Sequence, residues 1–554
     1  MTRQTTLAYP VPDFDERRRR IEAEPLPRNI HELISQAAGE AGGKVLWNFF
    51  ESRERASYAE MYARVMRLAA GLQSFGIRKG THVAVMLPNV EAFPLTWLAI
   101  GVLGAVMIPV NVGYQLRELV YVLNDSDAEY LVLDASRLDT VEAGIESGDI
   151  RVERAHVAVA GDPAPAGYTP WTALAACTAQ PELPEVGLDD LLNIQYTSGT
   201  TGFPKGCMLT QRYWIVSGKV NAMRDGRKFE RILASTPFYY MDPQWLLLMT
   251  LYQRASLFVA ARQSASRFTS WLREFAIEFC LFPYVVFKQP TTGNDGVPTV
   301  VRGNVYGVPM GIHAALEERF DFCAREAFGM TEVGSAMFMP IEACDMTGSG
   351  SCGKPSPFRE CRIVDEQGTE VAPGEVGELL IRGPGILAGY YKNAQASQQA
   401  LRGGWFHTGD LFRRDERGYF YIVGRVKDMI RRSSENIAAR EVEAVLNSAP
   451  SVLESAAIGV PDEVRGEEVK AYLVLKEGVQ PTREVLDEVI AICLAQLARF
   501  KVPRYYSFRA ALPKTASLKI AKQVLKSEAL RPDEHTFDRI GDAWLGSPAV
   551  REQA

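Results

Sequence analysis

A chain of 554 residues is too long for one hydrophobic core, so two or more domains are expected. Its 47% hydrophobic and 23% charged content is ordinary for a globular protein, and a net charge of −6 argues against a general nucleic-acid binder. Eight cysteines lie scattered without a CxxC pair, and neither a basic-then-apolar leader nor an apolar run long enough to span a bilayer occurs. Reduced thiols, no zinc site, no integral membrane segment and a cytoplasmic location are the resulting expectations.

In chain order, Arg17-Arg18-Arg19-Arg20 followed by Glu22 and Glu24 reads as the solvated face of a helix. Apolar residues three and four apart predict helices over Tyr58–Phe75 and Glu91–Leu103. Short apolar runs predict strands at His82–Met86, Val106–Val110, Tyr130–Leu133, His156–Val159, Leu192–Tyr196 and Ser256–Val259. The alternation implies an α/β fold of layered, mostly parallel sheets. Turn signals at Asp365-Glu366-Gln367-Gly368 and Pro373-Gly374-Glu375 predict a β-rich subdomain. Beyond Gly424-Arg425-Val426-Lys427-Asp428 the pattern over Glu441–Leu446, Val469–Leu475 and Glu484–Leu497 indicates a small α+β unit. The expected division is residues 1–426, 427–530 and a flexible tail over 531–554.

The most informative segment is Tyr196-Thr197-Ser198-Gly199-Thr200-Thr201-Gly202-Phe203-Pro204-Lys205-Gly206, which follows a buried strand. Glycines let backbone N–H groups approach a polyphosphate, hydroxyls donate to its oxygens, and one lysine supplies positive charge. The spacing is not that of a Walker A loop, because only two residues separate Gly199 from Gly202. This stretch resembles the phosphate-binding loop of the adenylate-forming superfamily, which comprises acyl-CoA synthetases, peptide-synthetase adenylation domains and luciferases. Matching motifs follow in order over about residues 30–525.

The resemblance implies a role for each motif. Phe328-Gly329-Met330-Thr331-Glu332 matches the segment whose aromatic ring lies on adenine, whose threonine meets the α-phosphate and whose glutamate holds Mg²⁺; alone, it could be a helix cap. Tyr306-Gly307-Val308-Pro309 is similar to the segment lining the adenine and acyl pocket. In Thr408-Gly409-Asp410 the aspartate takes the ribose hydroxyls; Arg425 is the ribose- and phosphate-contacting arginine, and Lys427 falls on the hinge of a mobile small domain. Within Pro513-Lys514-Thr515-Ala516-Ser517-Leu518-Lys519-Ile520, Lys519 matches the lysine that bridges substrate carboxylate and α-phosphate. Two departures touch the small domain: Leu518 stands where glycine is usual, and Ser434 precedes Glu435-Asn436 in place of glycine beside the pantetheine channel.

Tyr239, Tyr240, Trp245, Val308 and Met330 are the candidate acyl-pocket residues, Tyr240 standing where histidine is common. The aromatic density, with Phe282, hints at a bulky hydrophobic acyl group. Asp242 invites a contact with a cationic acyl group, but capping a helix that starts at Pro243 is the preferred reading.

The implied enzyme is an AMP-forming acyl-CoA ligase using ATP, Mg²⁺ and coenzyme A on a small-molecule carboxylic acid. Lys519, Thr197, Lys205 and Glu332 are the catalytic candidates, and Ser198, Gly199, Thr200, Thr201 and Gly202 cradle phosphate. A monomer and a homodimer both fit. An adenylate-forming enzyme with another acceptor, a luciferase-like monooxygenase and a non-catalytic nucleotide-binding homologue remain open; a peptide-synthetase module is disfavoured because no carrier domain follows residue 530.

Overall fold

The computed structural model describes residues 11–161, 166–197, 204–308, 310–432, 435–515, 519–529 and 535–545. Ser198, Gly199, Thr200, Thr201, Gly202, Pro309, Ser434 and Leu518 lie outside them. Two compact units divide the chain: one takes the residues up to Thr197, Lys205–Cys361 and Ile381–Phe406, the other Arg362–Leu380 and the residues from His407 on.

The first unit is built on two sheets. One has eight strands in the order Gly389–Tyr390, Lys205–Thr210, Leu191–Thr197, Val106–Pro109, His82–Met86, Tyr130–Asp134, Val157–Ala160 and Thr169–Pro170. From Leu191–Thr197 through Thr169–Pro170 the neighbours run parallel, and the first two strands are antiparallel additions. The other sheet has nine strands, among them Arg231–Ala234, which pairs in parallel with Ser256–Val259 and Phe279–Leu281. The apolar, buried run Val83–Met86 in the strand His82–Met86 suits a sheet covered on both faces. The Ala92–Val102 helix is buried at every position, which places it in the interior. A polar chain threads this core: Trp97 Nε1 donates to Asn193 Oδ1 at 3.0 Å, Asn193 Nδ2 to Gln244 Oε1 at 3.1 Å, and Gln244 Nε2 to the Phe238 carbonyl at 2.8 Å.

The expected elements in this unit are present within a residue or so of their bounds. The arginine run is different. Arg19 and Arg20 are exposed, but Arg17 is buried, its Nε donating to the Arg224 carbonyl at 3.0 Å and its Nη2 pairing with Glu342 at 2.7 Å. One member of a charged run can point inward when carbonyls and a carboxylate await it there, and linear sequence gives no sign of those partners.

In the second unit, Glu360–Val364, Val376–Arg382, Phe406–Arg414 and Phe420–Arg425 form a four-stranded sheet. The remaining strands form another sheet around Gly466–Leu475, covered by the Ala439–Leu446 and Arg483–Gln496 helices, whose apolar faces meet in one core. Residues 535–545, expected within a flexible tail, extend this sheet: Thr536–Asp538 pairs with Tyr505–Phe508, and Ala543–Trp544 pairs back on it. The anchors are apolar and ionic. Phe537 is 1% exposed, and Arg504 pairs with Asp538 at 3.0 Å. Phe537→Ala is therefore expected to destabilise this unit by about 3–5 kcal/mol, the cost of emptying a buried aromatic site, measured by calorimetric unfolding. A loose tail would leave the transition unmoved.

Candidate functional site

The strand Leu191–Thr197 and its antiparallel partner Lys205–Thr210 set Thr197 opposite Lys205 and Tyr196 opposite Gly206. The two strands thus meet at the carboxyl end of a strand that runs parallel to its other neighbour, where ligands of α/β sheets bind. Gly206 is required sterically, because a Cβ there would meet Ile194 Cγ2 at 2.6 Å. Thr197 Oγ1 lies 3.5 Å from the Lys205 carbonyl, at the long limit of a hydrogen bond.

Side chains alternate along a strand, so Lys205 shares a face with Cys207, and Tyr390 pairs with Cys207 from the neighbouring strand. The diagonal contact follows: Lys205 Nζ stands 4.8 Å from the centroid of the Tyr390 ring. The Tyr390 hydroxyl donates to Glu332 Oε1 at 3.0 Å. Burial pushes the Tyr390 phenol up, and the Glu332 charge pushes it further, so it stays neutral and keeps its proton for that bond. Sequence reasoning missed Tyr390, since 58 residues separate it from Glu332 and no spacing signal links them.

Phe328, Gly329 and Met330 end the strand Ala324–Met330, which pairs antiparallel with Gly334–Phe338. Thr331 and Glu332 occupy the turn between strands, so the helix-cap reading of this motif does not hold. Gly329 is needed for close approach, because a Cβ there would lie 2.6 Å from the Gly334 carbonyl oxygen. The Thr331 carbonyl accepts the Tyr213 hydroxyl at 2.9 Å. Arg359, 2% exposed and also missed, clamps both halves of the cluster. It donates to the Val333 carbonyl at 2.8 Å and to those of Pro384 and Gly385 at 2.7 and 3.0 Å. Residues 333 and 384–385 flank Glu332 and lead to Tyr390.

Gly307 takes a φ of +65°, and its N–H and that of Val308 donate to the two oxygens of Glu326 at 3.1 and 2.9 Å. Glu326 is 7% exposed, so a buried carboxylate that accepts two amide N–H groups fixes this segment. No motif pointed to Glu326.

Among the aromatic candidates, the Tyr239 and Tyr240 rings lie 4.8 Å apart, and the Tyr239 carbonyl accepts Gln195 Nε2 at 2.9 Å. Burial raises the Tyr239 phenol to about 12. Tyr240 accepts Asn111 Nδ2 at 3.4 Å, and Trp245 is buried. Phe282, by contrast, packs among Phe268, Phe320 and Phe322 as ordinary core. Asp242 is not a helix cap. The helix spans Met241–Gln253 with Tyr240 at its N-cap position, so Asp242 sits inside the first turn and accepts Trp245 Nε1 at 3.2 Å. The capping preference misplaced the start by two residues; a carboxylate in a first turn gains from the helix dipole without capping.

In the second unit, Asp410 and Arg425 stand opposite each other on adjacent strands and form an ion pair at 3.0 Å. Asp410 is 3% exposed, and its N–H donates to the Thr408 hydroxyl at 3.0 Å. Gly409 adopts a φ of +68° and donates to Glu378 at 3.0 Å. Lys427 is exposed in a short 3₁₀ turn, Val426–Asp428, and its carbonyl accepts Lys526 Nζ at 3.3 Å. Lys519 is exposed next to a bridge between Lys514 and Ile520; its N–H donates to Thr515 Oγ1 at 3.2 Å, and its carbonyl accepts the Thr515 N–H at 2.7 Å.

Among the described residues no group of three or more His, Cys, Asp or Glu could hold a metal by itself, and no helix is long and apolar enough to cross a membrane. A single carboxylate such as Glu332 suits Mg²⁺, which commonly takes one or two carboxylates and completes its shell with water and substrate phosphates.

The family model for AMP-binding enzymes matches residues 34–391, and that for the AMP-binding enzyme C-terminal domain matches residues 441–519. A feruloyl-CoA synthase from Amycolatopsis sp is 33% identical over 482 residues, 84% of this chain and 92% of the relative. A sulfoacetate–CoA ligase from Cupriavidus necator is 33% identical over 465 residues, 82% and 89% of the two chains. A crotonobetaine/carnitine–CoA ligase from Salmonella arizonae is 31% identical over 490 residues, 85% and 93%. In fold, the chain is similar to the anthranilate CoA ligase AuaEII, solved with anthranoyl-AMP, at a TM-score of 0.83 and 23% identity, covering 92% of this chain and 99% of that one. The chain belongs to the AMP-binding enzyme family and is an AMP-forming acid–thiol ligase.

Proposed function

We propose that the cluster of Lys205, Tyr390 and Glu332 is where this ligase manages the charge of ATP. The observation that carries this reading is that the phosphate-loop lysine and the motif glutamate, 127 residues apart, meet on one tyrosine. In the reaction, a carboxylate oxygen of the acid attacks the α-phosphorus of ATP, the bond to the bridging oxygen breaks, and pyrophosphate leaves. The coenzyme A sulfur, losing its proton, then attacks the acyl carbon and expels AMP.

Thr197, Lys205 and the Ser198–Gly202 segment hold the phosphates that become pyrophosphate, while Phe328 and Thr331 meet adenine and α-phosphate. Asp410 accepts the ribose hydroxyls, and Arg425, its ion-pair partner, shares that task. Glu332 would hold Mg²⁺, which supplies charge neutralisation on the triphosphate. Tyr390 orients Glu332 by its hydrogen bond and positions Lys205 by its ring. Lys519 offsets the charge that develops between carboxylate and α-phosphate, and Lys427 is the hinge about which the small domain moves. Tyr239, Tyr240, Trp245, Val308 and Met330 line the acyl pocket. The relatives act on aromatic, anionic and cationic acids, so family membership does not choose among them.

The direct test is mass spectrometry of products after incubation with ATP, Mg²⁺ and a mixed library of carboxylic acids, with and without coenzyme A. An acyl-CoA formed only with coenzyme A is expected; acyl-AMP accumulating with no thioester would mean another acceptor, and no product at all a non-catalytic homologue. Lys519→Ala should lower pyrophosphate release by at least about a hundredfold, since it removes an interaction made with developing charge, while ATP binding by calorimetry is retained. A preserved rate would overturn the role of Lys519. Tyr390→Phe keeps the ring for Lys205 and deletes the donor to Glu332, so the concentration of Mg²⁺ giving half-maximal rate should rise about tenfold, as loss of a hydrogen bond to a charged group predicts.

A further inference from the structure

The strands that carry the phosphate-loop lysine and Tyr390 have a second face. Thr197, Lys205, Cys207 and Tyr390 share one face through their pairing, so alternation puts Tyr196 and Gly206 on the other. There the Tyr196 ring lies across Gly206, its Cζ 3.2 Å from where a Cβ would stand. Tyr391 continues the pairing beyond Tyr390, its N–H donating to the Gly206 carbonyl at 2.8 Å. Tyr196 and Tyr391 pack against one apolar core that includes Leu119, Val122 and Ile194. Both phenols end on a single turn, Asp125-Ser126-Asp127, at the close of the helix Leu116–Asp125. The Tyr196 hydroxyl donates to Asp125 Oδ2 at 2.6 Å, and the Tyr391 hydroxyl donates to Asp127 Oδ2 at 2.8 Å.

The turn is itself held. Asp127 takes a φ of +48°, a left-handed conformation that aspartate tolerates better than most residues. Lys392 Nζ pairs with Asp127 Oδ1 at 2.6 Å. From the strand His82–Met86, His82 Nδ1 donates to the Ser126 carbonyl at 2.6 Å, and its ring lies 5.3 Å from that of Tyr391. Burial, and then the bond to Asp125, keep the Tyr196 phenol far above its ordinary value; burial and Asp127 push the Tyr391 phenol up to about 12. Both stay protonated and donate to carboxylates, the stronger kind of hydrogen bond. Tyr196 stands directly before Thr197 and Tyr391 directly after Tyr390, so one rigid peptide carries a shift of either phenol into the site.

We propose that Asp125 and Asp127 are positioning residues of the ATP site: through Tyr196 and Tyr391 they set the strand ends that present Thr197, Lys205 and Tyr390 to the phosphates that leave as pyrophosphate. This inference rests on the reading of Lys205, Tyr390 and Glu332 as the cluster that manages the charge of ATP. The aspartates act from the opposite face of the sheet, so they fix geometry without adding negative charge beside the triphosphate. Their effect is confined to the end of the nucleotide that Lys205 holds. AMP, which lacks the two outer phosphates, should be indifferent to them.

The test is calorimetric binding of ATP with Mg²⁺, and separately of AMP, to the full chain. Tyr196→Phe keeps the ring over Gly206 and deletes the donor to Asp125; Tyr391→Phe does the same for Asp127. In either variant the Kd of ATP should rise about tenfold, the scale of one hydrogen bond to a charged group, while that of AMP changes by less than about twofold. Asp125→Ala should match Tyr196→Phe, and combining the two should add no further loss, because both delete the same bond. Equal weakening of ATP and AMP would reduce the turn to a support of the fold and overturn the inference. So would an unchanged ATP affinity in both phenylalanine variants, or additive losses from Asp125→Ala and Tyr196→Phe. Lys205→Ala separates this inference from the reading beneath it. If that variant binds ATP as the wild type does, the cluster is not the phosphate site and both fall; if it binds ATP weakly while the phenylalanine variants do not, only the positioning role falls.

Discussion

The register that sets Thr197 against Lys205 is the constraint on which the rest of the site depends. Strand side chains alternate, so this pairing fixes which face Lys205 takes, and a slip of one residue would exchange it with Gly206. The opposite face has no room, as Ile194 already crowds Gly206. With the register fixed, Lys205 meets Tyr390 and Tyr390 meets Glu332. A lysine and a glutamate that could have formed a direct ion pair are instead separated by a phenol. Each keeps its charge available to a third party, in keeping with the role in binding ATP and Mg²⁺ proposed for this cluster.

Around this cluster the protein spends buried polar groups to fix backbone. Arg359 gathers three carbonyls that flank Glu332 and precede Tyr390, and Glu326 gathers two amides beside Tyr306. The chain Trp97–Asn193–Gln244 ties the phosphate-loop strand to the start of the helix that carries Asp242. Satisfied networks of this kind hold geometry more tightly than apolar packing, because each donor has one acceptor and a shift leaves both unpaired.

The second unit shows the same economy with charge. Asp410 and Arg425 pair across adjacent strands, and Gly409 turns between them and Glu378 with a positive φ that suits glycine. Its sheet continues into residues 535–545, where Phe537 completes the core beneath Tyr506 and Leu473.

The sequence by itself determined the α/β layering, the bounds of those helices and strands it marked in the first unit to within a residue or so, and the reaction class. These depend on local periodicity and on contiguous motifs such as Phe328–Glu332, whose residues are neighbours in the chain. Only the tertiary structure decided which residues complete the site. Tyr390, Arg359 and Glu326 lie tens of residues from what they hold and join no motif, so nothing in linear spacing marks them. Arg17 and Asp242 show the same limit for single side chains. A charged residue at a helix start reads as solvated or as a cap because those are the commonest local solutions. Whether it is buried, and whether a partner waits there, depends on elements folded over it from elsewhere in the chain.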